Sequence, residues 1–598
     1  MKIANIVPIR RPFDITVKIP ASKSNTNRVL LLGALCDGPV RLINPLISDD
    51  TKAMASCLNE LGIRVTTEEK EFVVDGSISD VKDKPYKLNA DLSGITIRFI
   101  TALACIVPGQ QTITGEHGLN RRPIGDLVDA LRSLGADIKY LDKEGFPPLR
   151  VDSSSLSGSG LEMSGATSSQ FLSALLMISP LLGKKIHIKI RGKQISTPYI
   201  DMTIKVMKRF GVSVANDDYQ SYEINPQEYH NHVYHVNGDF SSASYFFAAA
   251  ALNESKVTVD NLRRVTKQAD KEFLKILGDM GSKVEYGKSK VMLRGAGVKP
   301  MKVNMEKCPD QAMTLAVLAA FADGETTIDG ISSLRIKETE RIIALEHELA
   351  KMGIRTASTE DSLTIYGGRP KGAIIDTYGD HRIAMAFAIA GTRLEGQRII
   401  NPGVVNKTFP SFWEKLAKIT PVETIDIKKS NIVLIGMRGT GKSTLGRIIA
   451  KKIGMDFVDT DDFIEKKNNM NIKKAVEAKG WAYFRKLENE AIKTLSSKKN
   501  TIISTGGGAV LDPKNVQNLR KNGVVFMLQA DPGVLAQRIR AYGRLPSLTG
   551  HDSVQKELEE VWRDRREKYF ASADFIIDTS GISPNKVVSG IMEKLETI

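Results

Sequence analysis

A glycine-rich segment in the last third of the chain has the residue types that bind phosphate groups. It follows the apolar run 432–435 and consists of Gly436, Met437, Arg438, Gly439, Thr440, Gly441, Lys442, Ser443 and Thr444. This is the spacing G-x-x-x-x-G-K-[S/T], in which backbone N–H groups surround the phosphates of a nucleotide. Lys442 would reach the β and γ phosphates, and the Ser443 hydroxyl would ligate magnesium. The segment predicts ATP binding and phosphoryl transfer.

Small polar residues recur at regular intervals through the first two thirds of the chain. Each leads into an Ala- and Leu-rich run, and the six starts are Ser22, Ser93, Ser168, Ser241, Asp310 and Asp380, separated by 71, 75, 73, 69 and 70 residues. Near-constant spacing predicts six copies of one mixed α/β unit. Six buried helices whose N-termini face one cleft would form an anion site. Taken singly, each polar residue is better explained as an ordinary N-cap.

Charged motifs accompany these helix starts in a fixed order. They are Lys23-Ser24 with Arg28, Arg122-Pro123-Ile124-Gly125, Ser168-Ser169-Gln170, Cys308-Pro309-Asp310, Arg335-Ile336-Lys337-Glu338-Thr339-Glu340-Arg341, Asp380-His381-Arg382 and Asn406-Lys407-Thr408-Phe409-Pro410. Over residues 1 to about 420 the set closely resembles the EPSP synthases. The resemblance implies a two-lobed, inside-out α/β fold with three units in each half. It also implies a cleft that closes around phosphoenolpyruvate and shikimate 3-phosphate.

The resemblance implies roles for individual residues. Phosphoenolpyruvate would be held by Lys23, Gly94, Arg122, Gln170, Arg341, Arg382 and Lys407. Shikimate 3-phosphate would be held by Lys23, Ser24, Arg28, Ser168, Ser169, Gln170, Ser196, Tyr199, Asp310, Ser333 and Lys337. Asp310, with Lys23 nearby, would take the proton of the attacking hydroxyl, and Glu338 would give and later recover the proton of the methylene carbon.

Simpler interpretations of two of these motifs stay open. Lys337, Glu338 and Arg341 could form an ion-pair row on one helix face. His381 could be a hydrogen-bonded core histidine, and it is given only a supporting role. Three positions depart from the family pattern. Leu92 and Ile95 stand where the family's Asn-x-Gly-Thr segment has asparagine and threonine, and Ser333 stands where an asparagine is expected. We expect Ile95 to narrow the site and to weaken inhibitors larger than phosphoenolpyruvate, such as glyphosate.

The motifs that follow the phosphate loop suggest its acceptor substrate. They are Asp459-Thr460-Asp461, Phe484-Arg485 with Glu488, and Ser504-Thr505-Gly506-Gly507-Gly508-Ala509, and they resemble the shikimate kinases over essentially all of residues 431–598. The resemblance implies that Asp459 and Ser443 hold magnesium, and that shikimate is bound by Asp461, Arg485, Gly506, Gly507, Gly508 and Arg565. Arg538 would contact the adenine side and Arg544 would be a lid arginine. Either could instead be an exposed surface arginine.

The two resemblances predict a bifunctional enzyme for consecutive shikimate-pathway steps of aromatic amino acid (chorismate) biosynthesis. We expect a transferase domain at 1–425 with chain crossings near residues 20 and 240, a linker at 426–430, and a P-loop kinase domain with a doubly wound parallel sheet at 431–598. Mg²⁺ would act in the kinase domain, and ATP and phosphoenolpyruvate would be co-substrates. The alternative is a UDP-sugar-type enolpyruvyl transferase fused to another small-molecule P-loop kinase or to a nucleotide-sensing module.

Composition narrows the classes of partner. The formal net charge of +15 suits small anionic substrates as well as nucleic acid, but the aromatic fraction is only 6% and no nucleic-acid-binding motif occurs, so we expect no nucleic-acid partner. The longest apolar stretch, 171–182, is shorter than the ~20 residues of a membrane span, so we expect no membrane partner.

The cysteine and histidine patterns bear on metal sites and compartment. Four cysteines without CxxC spacing favour a reducing cytoplasm over a disulfide framework or a zinc site. His230, His232 and His235 have metal-like spacing without a carboxylate or cysteine partner, so we do not expect zinc there.

Overall fold

The protein is described by a computed structural model that covers residues 2–68, 70–152, 156–166, 168–426, 428–542 and 553–596. Up to residue 426 its strands are β1 Lys2–Ile6, β2 Asp14–Lys18, β3 Val40–Ile43, β4 Val65–Thr67, β5 Glu71–Val74, β6 Pro85–Asn89, β7 Gln110–Thr114, β8 Asp137–Tyr140, β9 Leu149–Asp152, β10 Gly160–Ser164, β11 Ile186–Arg191, β12 Ala215–Asp217, β13 Ser221–Ile224, β14 Val233–His235, β15 Lys256–Asp260, β16 Lys283–Tyr286, β17 Lys290–Arg294, β18 Lys302–Asn304, β19 Gly324–Asp329, β20 Arg355–Ser358, β21 Ser362–Gly367, β22 Ile374–Ile375, β23 Arg398–Ile400 and β24 Val422–Asp426. The helices of the same part are α1 Lys23–Ala34, α2 Asp49–Glu60, α3 Gly94–Ala104, α4 His117–Asn120, α5 Gly125–Ser133, α6 Ser169–Ile178, α7 Thr197–Arg209, α8 Phe240–Leu252, α9 Glu272–Asp279, α10 Ala312–Ala319, α11 Arg341–Lys351, α12 His381–Gly391 and α13 Phe412–Leu416.

These strands form six four-stranded sheets that repeat one pattern. Each sheet has a parallel pair followed by two antiparallel strands, in the orders β14-β3-β5-β4, β6-β7-β9-β8, β10-β11-β13-β12, β2-β15-β17-β16, β18-β19-β21-β20 and β22-β23-β1-β24. In the β6 and β10 sheets the four strands belong to one contiguous βαβαββ segment. The six predicted repeats are therefore six copies of this unit.

The six units pack as two lobes, each with its own apolar core. One core runs from Val29 to Tyr229, and the other combines residues 4–19 with residues 240–416. The chain passes between the lobes at Ala21 and Gly238, which face each other in an isolated bridge. At the centre of the lobes lie α3, α8, α10 and α12, of which every residue is buried. A helix buried on all sides must be apolar on all sides, which explains the Ala- and Leu-rich runs.

Two of the six helix starts differ from their predicted positions. The fourth helix, α8, begins at Phe240 because Asp239, rather than Ser241, is its N-cap and accepts the backbone N–H of Ser242 at 3.0 Å. The fifth run begins as a 3₁₀ turn, Pro309–Gln311, before α10. Proline at the first position of a helical turn has no N–H to satisfy, so it is tolerated there.

The remaining chain folds as a second domain around one parallel sheet. Its strands are β25 Asn431–Ile435, β26 Asp456–Asp459, β27 Thr501–Ser504, β28 Gly523–Gln529 and β29 Phe575–Asp578, in the order β26-β27-β25-β28-β29. Its helices are α14 Lys442–Ile453, α15 Thr460–Asn468, α16 Ile472–Leu495, α17 Pro513–Asn522, α18 Pro532–Tyr542, α19 Val554–Ser572 and α20 Pro584–Glu596. The fold class predicted from the sequence is confirmed, and α14 begins at Lys442 within the predicted phosphate loop.

None of the helices in the described ranges is long and apolar enough to cross a bilayer.

Candidate active sites

One pocket between the two lobes is lined by residues at the starts of six helices. They are α1, α3, α6, α8 and α12, together with the 3₁₀ turn before α10. The eleven residues predicted to hold shikimate 3-phosphate all line it: Lys23, Ser24, Arg28, Ser168, Ser169, Gln170, Ser196, Tyr199, Asp310, Ser333 and Lys337. Ile95 at the start of α3 and Arg382 at the start of α12 line it too. Helix N-termini carry unpaired N–H groups and a partial positive charge, so the pocket is suited to anions.

Arg341, at the start of α11, organises the carboxylates beside this pocket. Its guanidinium is buried and donates from Nε to Asp380 Oδ2 at 2.7 Å, from Nη1 to Asp310 Oδ1 at 3.0 Å and from Nη2 to Glu338 Oε2 at 2.9 Å. A buried guanidinium is tolerated when its donors are matched by charged acceptors. One arginine thus links both predicted proton-transfer carboxylates.

Asp310 lies within a group of cations. Arg382 Nη2 is 3.1 Å from its Oδ2, and Lys337 Nζ is 3.8 Å from its Oδ1. Burial alone would raise the pKa of Asp310, but the charges of Arg382, Lys337 and Arg341 outweigh burial and hold the pKa well below its usual range. Asp310 is therefore ionised before substrate binds. The helix-face interpretation of Lys337, Glu338 and Arg341 is wrong, because Lys337 and Glu338 precede the first residue of α11.

Glu338 is the meeting point of three residues predicted for phosphoenolpyruvate. Lys407 Nζ lies 3.0 Å from Glu338 Oε1, Arg341 Nη2 lies 2.9 Å from Oε2, and Arg122 Nη1 lies 3.7 Å from Oε1. Burial would raise the pKa of Glu338, but these three cations lower it well below its ordinary value. Gly94 permits the arrangement, because a Cβ there would lie 2.5 Å from Arg122 Nη1.

Arg28, which lines the pocket, and His381, which precedes the pocket residue Arg382, both have buried side chains. Arg28 is buried and donates to Thr203 Oγ1 at 2.7 Å, Ser24 O at 3.0 Å and Ser173 Oγ at 3.3 Å. These bonds fix α1 against α6 and α7. His381 is also buried, and burial lowers its pKa well below the ordinary value, so its ring is neutral. Neither ring nitrogen has a hydrogen-bond partner among the described residues, so the hydrogen-bonded-core interpretation of His381 is not supported.

Sequence reasoning missed three residues at this site. Arg98, buried in α3, donates to Gln170 Oε1 and lies 5.0 Å from the Phe171 ring. An arginine within the apolar run that begins at Ile95 was the available signal. Asp50 pairs with Lys23 Nζ at 2.8 Å, and its position gave no signal.

Asp270, the third missed residue, joins the two lobes beside the pocket. It accepts from Tyr199 OH at 3.3 Å in the first lobe, and from Ser241 Oγ at 3.1 Å and Gln311 Nε2 at 2.8 Å in the second. Burial raises its pKa above the ordinary value despite the nearby charge of Arg382. No sequence motif connects these four residues.

The second pocket lies at the carboxyl end of β25 in the other domain. Of the predicted kinase residues it is lined by Met437, Arg438, Gly439, Thr440, Gly441, Lys442, Ser443, Thr444, Asp459, Asp461, Arg485, Gly506, Gly507, Gly508, Arg538 and Arg565. Gly436 enters through its carbonyl, which accepts from Lys442 Nζ at 2.9 Å. Arg544 lies outside the described residues. Burial lowers the pKa of Lys442 to about 8.

Ser443 and Asp459 bring oxygen ligands together below the phosphate loop. Ser443 Oγ donates to Asp459 Oδ2 at 2.6 Å, and Ser504 Oγ donates to the same atom at 2.9 Å. Serine and aspartate oxygens are the hard ligands that Mg²⁺ prefers, and Mg²⁺ commonly takes only one or two of them with phosphate and water oxygens. The residues fit that ion. No group of three or more His, Cys, Asp or Glu side chains suited to a metal occurs within the described ranges.

The same pocket contains two arginines and two acids, of which Glu488 is fully buried. Arg485 Nη1 pairs with Glu488 Oε2 at 2.5 Å, and the guanidinium occupies the space that a Cβ of Gly508 would need. Arg565 Nη1 donates to Gly507 O at 3.5 Å. Asp461 Oδ1 is buried without a partner among the described residues. Burial and the charges of Asp459 and Glu488 raise the pKa of Asp461 to about 6.

Arg538, in α18, lies next to the phosphate loop. It donates from Nη1 to Thr579 Oγ1 at 3.0 Å and from Nη2 to Thr579 O at 2.5 Å, and its Nη1 lies 3.4 Å from Gly439 O. Arg538 is therefore not a loose surface arginine.

Comparison with known families assigns both parts of the chain. The family model of EPSP synthase (3-phosphoshikimate 1-carboxyvinyltransferase) matches residues 8–416, and that of shikimate kinase matches residues 438–596. The 3-phosphoshikimate 1-carboxyvinyltransferase of Shewanella amazonensis is 41% identical over 409 residues, which cover 67% of this chain and 96% of that protein. The pairing of a UDP-sugar-type transferase with another kinase is not favoured by these matches.

A longer relative contains both parts. The pentafunctional AROM polypeptide 2 of Lodderomyces elongisporus is 36% identical over 612 residues, which cover 94% of this chain. The match spans only 38% of that polypeptide. A solved EPSP synthase from Acinetobacter baumannii, 23% identical, covers 71% of this chain and 100% of its own with a TM-score of 0.61, which supports the fold. The chain belongs to the EPSP synthase family through residues 8–416 and carries a shikimate kinase family domain at residues 438–596.

Proposed function

We propose that the chain catalyses two consecutive reactions in the shikimate pathway of aromatic amino acid biosynthesis. Residues 431–598 phosphorylate shikimate with ATP, and residues 1–425 transfer the enolpyruvyl group of phosphoenolpyruvate to shikimate 3-phosphate with release of phosphate. Residues 426–430 are the linker. The observation that carries the proposal is the group of carboxylates and cations around Arg341, at the point where the six helix starts converge. Its charges suit two anionic substrates.

In the transferase reaction the substrates replace carboxylates as partners of the site cations. The phosphate and carboxylate of phosphoenolpyruvate bind Arg122, Arg341, Arg382 and Lys407, while the eleven pocket residues hold shikimate 3-phosphate. Once these cations face substrate anions, they stabilise the ionised forms of Asp310 and Glu338 less, and both pKa values rise toward the working range. Asp310 then accepts the proton of the 5-hydroxyl as its oxygen attacks C2. Glu338 donates a proton to C3, and a proton leaves the same carbon as phosphate departs.

In the kinase reaction the 3-hydroxyl of shikimate attacks the γ-phosphorus of ATP and ADP leaves. Lys442 neutralises charge on the β and γ phosphates, and backbone N–H groups of the phosphate loop surround them. Asp461 accepts the hydrogen of the attacking hydroxyl, since its Oδ1 has no competing partner among the described residues. Arg485 and Arg565 hold the carboxylate of shikimate beside Gly506, Gly507 and Gly508. Arg538 contacts the adenine side and Arg544 covers the transferring phosphate.

Magnesium fits the kinase site through Ser443 and Asp459. When bound, Mg²⁺ neutralises charge on the nucleotide phosphates during transfer. The protein orients the Ser443 hydroxyl and the Asp459 carboxylate for the ion. Ser504 contributes to this orientation, because its Oγ donates to Asp459 Oδ2. The substrates are small molecules. We place the chain in a reducing cytoplasm, and its four unpaired, buried cysteines support that proposal.

The test supplies the purified chain with shikimate, Mg-ATP and phosphoenolpyruvate. ADP, inorganic phosphate and 5-enolpyruvylshikimate 3-phosphate are followed by mass spectrometry, with each co-substrate omitted in turn. The final product is expected only when all three are present. ADP without the enolpyruvyl product would overturn the transferase assignment, and ATP hydrolysis indifferent to shikimate would overturn the kinase assignment.

A further inference from the structure

The transferase and kinase domains share a buried polar interface that neither proposed reaction uses. Lys351, the last residue of α11, and Glu348, one turn earlier, are both buried. A buried ammonium is costly unless it is paired. Lys351 Nζ lies 3.0 Å from Glu348 Oε1 and donates to the backbone carbonyl of Asp574 at 2.8 Å. A lysine of one domain is thus satisfied partly by the chain of the other.

His347, beside Glu348 on the same helix, makes a second contact across the interface. Gln529 Nε2 donates to His347 Nε2 at 3.2 Å, and the His347 ring lies 6.2 Å from that of Phe570. Burial and the charge of Lys351 lower the pKa of His347 to about 4, so the ring is neutral. With Nε2 accepting, Nδ1 carries the hydrogen and faces Tyr378 OH at 3.4 Å. Tyr378 OH in turn donates to Glu348 Oε1 at 2.8 Å.

The kinase residues at this interface hold one end of α19. Phe570 belongs to the last turn of that helix, and Asp574 follows its end. The Asp574 carboxylate accepts from Val525 N at 2.9 Å and from Arg520 Nη2 at 2.9 Å. Asp574 therefore fixes the end of α19 to β28 and α17, while its carbonyl is fixed by Lys351. The helix end has partners in both domains.

The same helix supplies part of the shikimate site through its other face. Arg565 and Tyr569, one turn apart on α19, both donate to the carbonyl of Gly507. Residues four apart on a helix lie on one face, so both side chains follow any movement of α19. Tyr569 is next to Phe570, which contacts His347. A continuous line of contacts thus leads from α11 of the transferase to the Gly506–Gly508 turn of the kinase.

We propose that Lys351 and His347 of the transferase domain are positioning residues for the shikimate site of the kinase domain. They hold α19 at Asp574 and Phe570, and α19 presents Arg565 and Tyr569 to Gly507. The inference rests on the proposed kinase function. Because α11 begins at Arg341 in the transferase site, one helix lies in the transferase site at its first residue and contacts α19 of the kinase domain near its end.

The interface also offers a matched control. Lys594 of α20 pairs with Asp376 Oδ2 of the transferase domain at 2.6 Å. Like the contact of Lys351 with Asp574 O, this ion pair joins a lysine ammonium of one domain to an oxygen of the other, and neither residue is fully exposed. Unlike α19, α20 contains none of the residues proposed to bind shikimate.

The experiment compares Lys351→Met, His347→Leu and Lys594→Met in the full chain. Steady-state kinetics with varied shikimate and varied ATP are measured, together with the transferase reaction. We expect Lys351→Met and His347→Leu to raise the KM for shikimate about fivefold to twentyfold, as for a residue that acts through a packed helix. The KM for ATP and the transferase kcat/KM should stay within about twofold of wild type. Lys594→Met should leave the KM for shikimate within the same limit.

The outcomes separate positioning from general loosening of the interface. An unchanged KM for shikimate in both α11 variants would overturn the proposal, and so would an equal rise in Lys594→Met. If Lys351→Met does not fold, His347→Leu decides alone, because leucine has a similar volume and the change removes the hydrogen bonds to Gln529 and Tyr378 and the ring contact with Phe570 without removing a charge. A wild-type chain that does not phosphorylate shikimate would overturn the kinase function itself and the positioning role with it.

Discussion

Replacing Gly508 with alanine should damage the shikimate site while leaving nucleotide binding intact. The guanidinium of Arg485 occupies the space that an alanine Cβ would fill, so the side chain must move. The backbone of Gly508 has a φ of −104°, which alanine adopts without strain. Because the group that must move is the far end of a flexible side chain, the domain should still fold.

The expected loss follows from what Arg485 does. If the displaced guanidinium no longer reaches the carboxylate of shikimate, about 1.5 to 3 kcal/mol of a charged hydrogen bond is lost. That corresponds to a fall of about tenfold to 150-fold in kcat/KM for shikimate. The assay is coupled detection of ADP at varied shikimate and saturating ATP, with the KM for ATP measured separately.

Gly533→Ala is the matched control, because a Cβ there has no neighbour within 4 Å. It should leave both kinetic constants unchanged. If Gly508→Ala keeps the wild-type kcat/KM for shikimate, then Arg485 does not bind the substrate carboxylate in this position. If the KM for ATP rises as much as that for shikimate, the effect is a general distortion of the pocket.

Three substitutions and a pH profile test the remaining assignments. Lys442→Ala should abolish ADP formation and leave enolpyruvyl transfer intact, whereas Glu338→Ala should do the reverse; loss of both activities in either variant would contradict independent sites. Ile95→Thr should lower the inhibition constant of glyphosate, because Ile95 lines the pocket, and equal constants in both proteins would refute the steric argument. Burial and two neighbouring carboxylates raise the pKa of Asp461 to about 6. The kinase kcat/KM for shikimate should therefore fall as the pH drops through about 6, because the Asp461 carboxylate takes up a proton. A pH profile flat down to pH 5 would exclude Asp461 as the proton acceptor.

Local patterns predicted the elements that carry the sites. The spacing of apolar runs predicted six buried helices, and the phosphate loop predicted its place between β25 and α14. The predicted helix start was wrong where either of two nearby polar residues could be the N-cap. At α8 the N-cap is Asp239 and not Ser241. The domain limits at 425 and 431 and the role of each site residue stay predictions.

Contacts between distant residues could not be predicted in the same way. Asp270 meets Tyr199 and Gln311 only because the lobes pack together, and no short motif contains these residues. Lys351 in α11 looks like an ordinary basic residue at a helix end, where cations are common. Lys351 is buried partly by the kinase domain, and the sequence of the transferase domain gives no information about that contact. Arg98 differs, because an arginine in an apolar run already signals a buried partner.

The strand pairing of the second lobe affects the order in which the chain can fold during its synthesis. Strand β1 lies between β23 and β24, and β2 pairs with β15. Both β1 and β2 are therefore synthesised long before the strands with which they pair. In the first lobe β3 also pairs with a late strand, β14, but its other partner β5 follows closely in the chain. Early strands without partners are exposed to wrong pairing during translation. We therefore expect residues 2–18 to be the segment that most needs protection before the ribosome has completed β24.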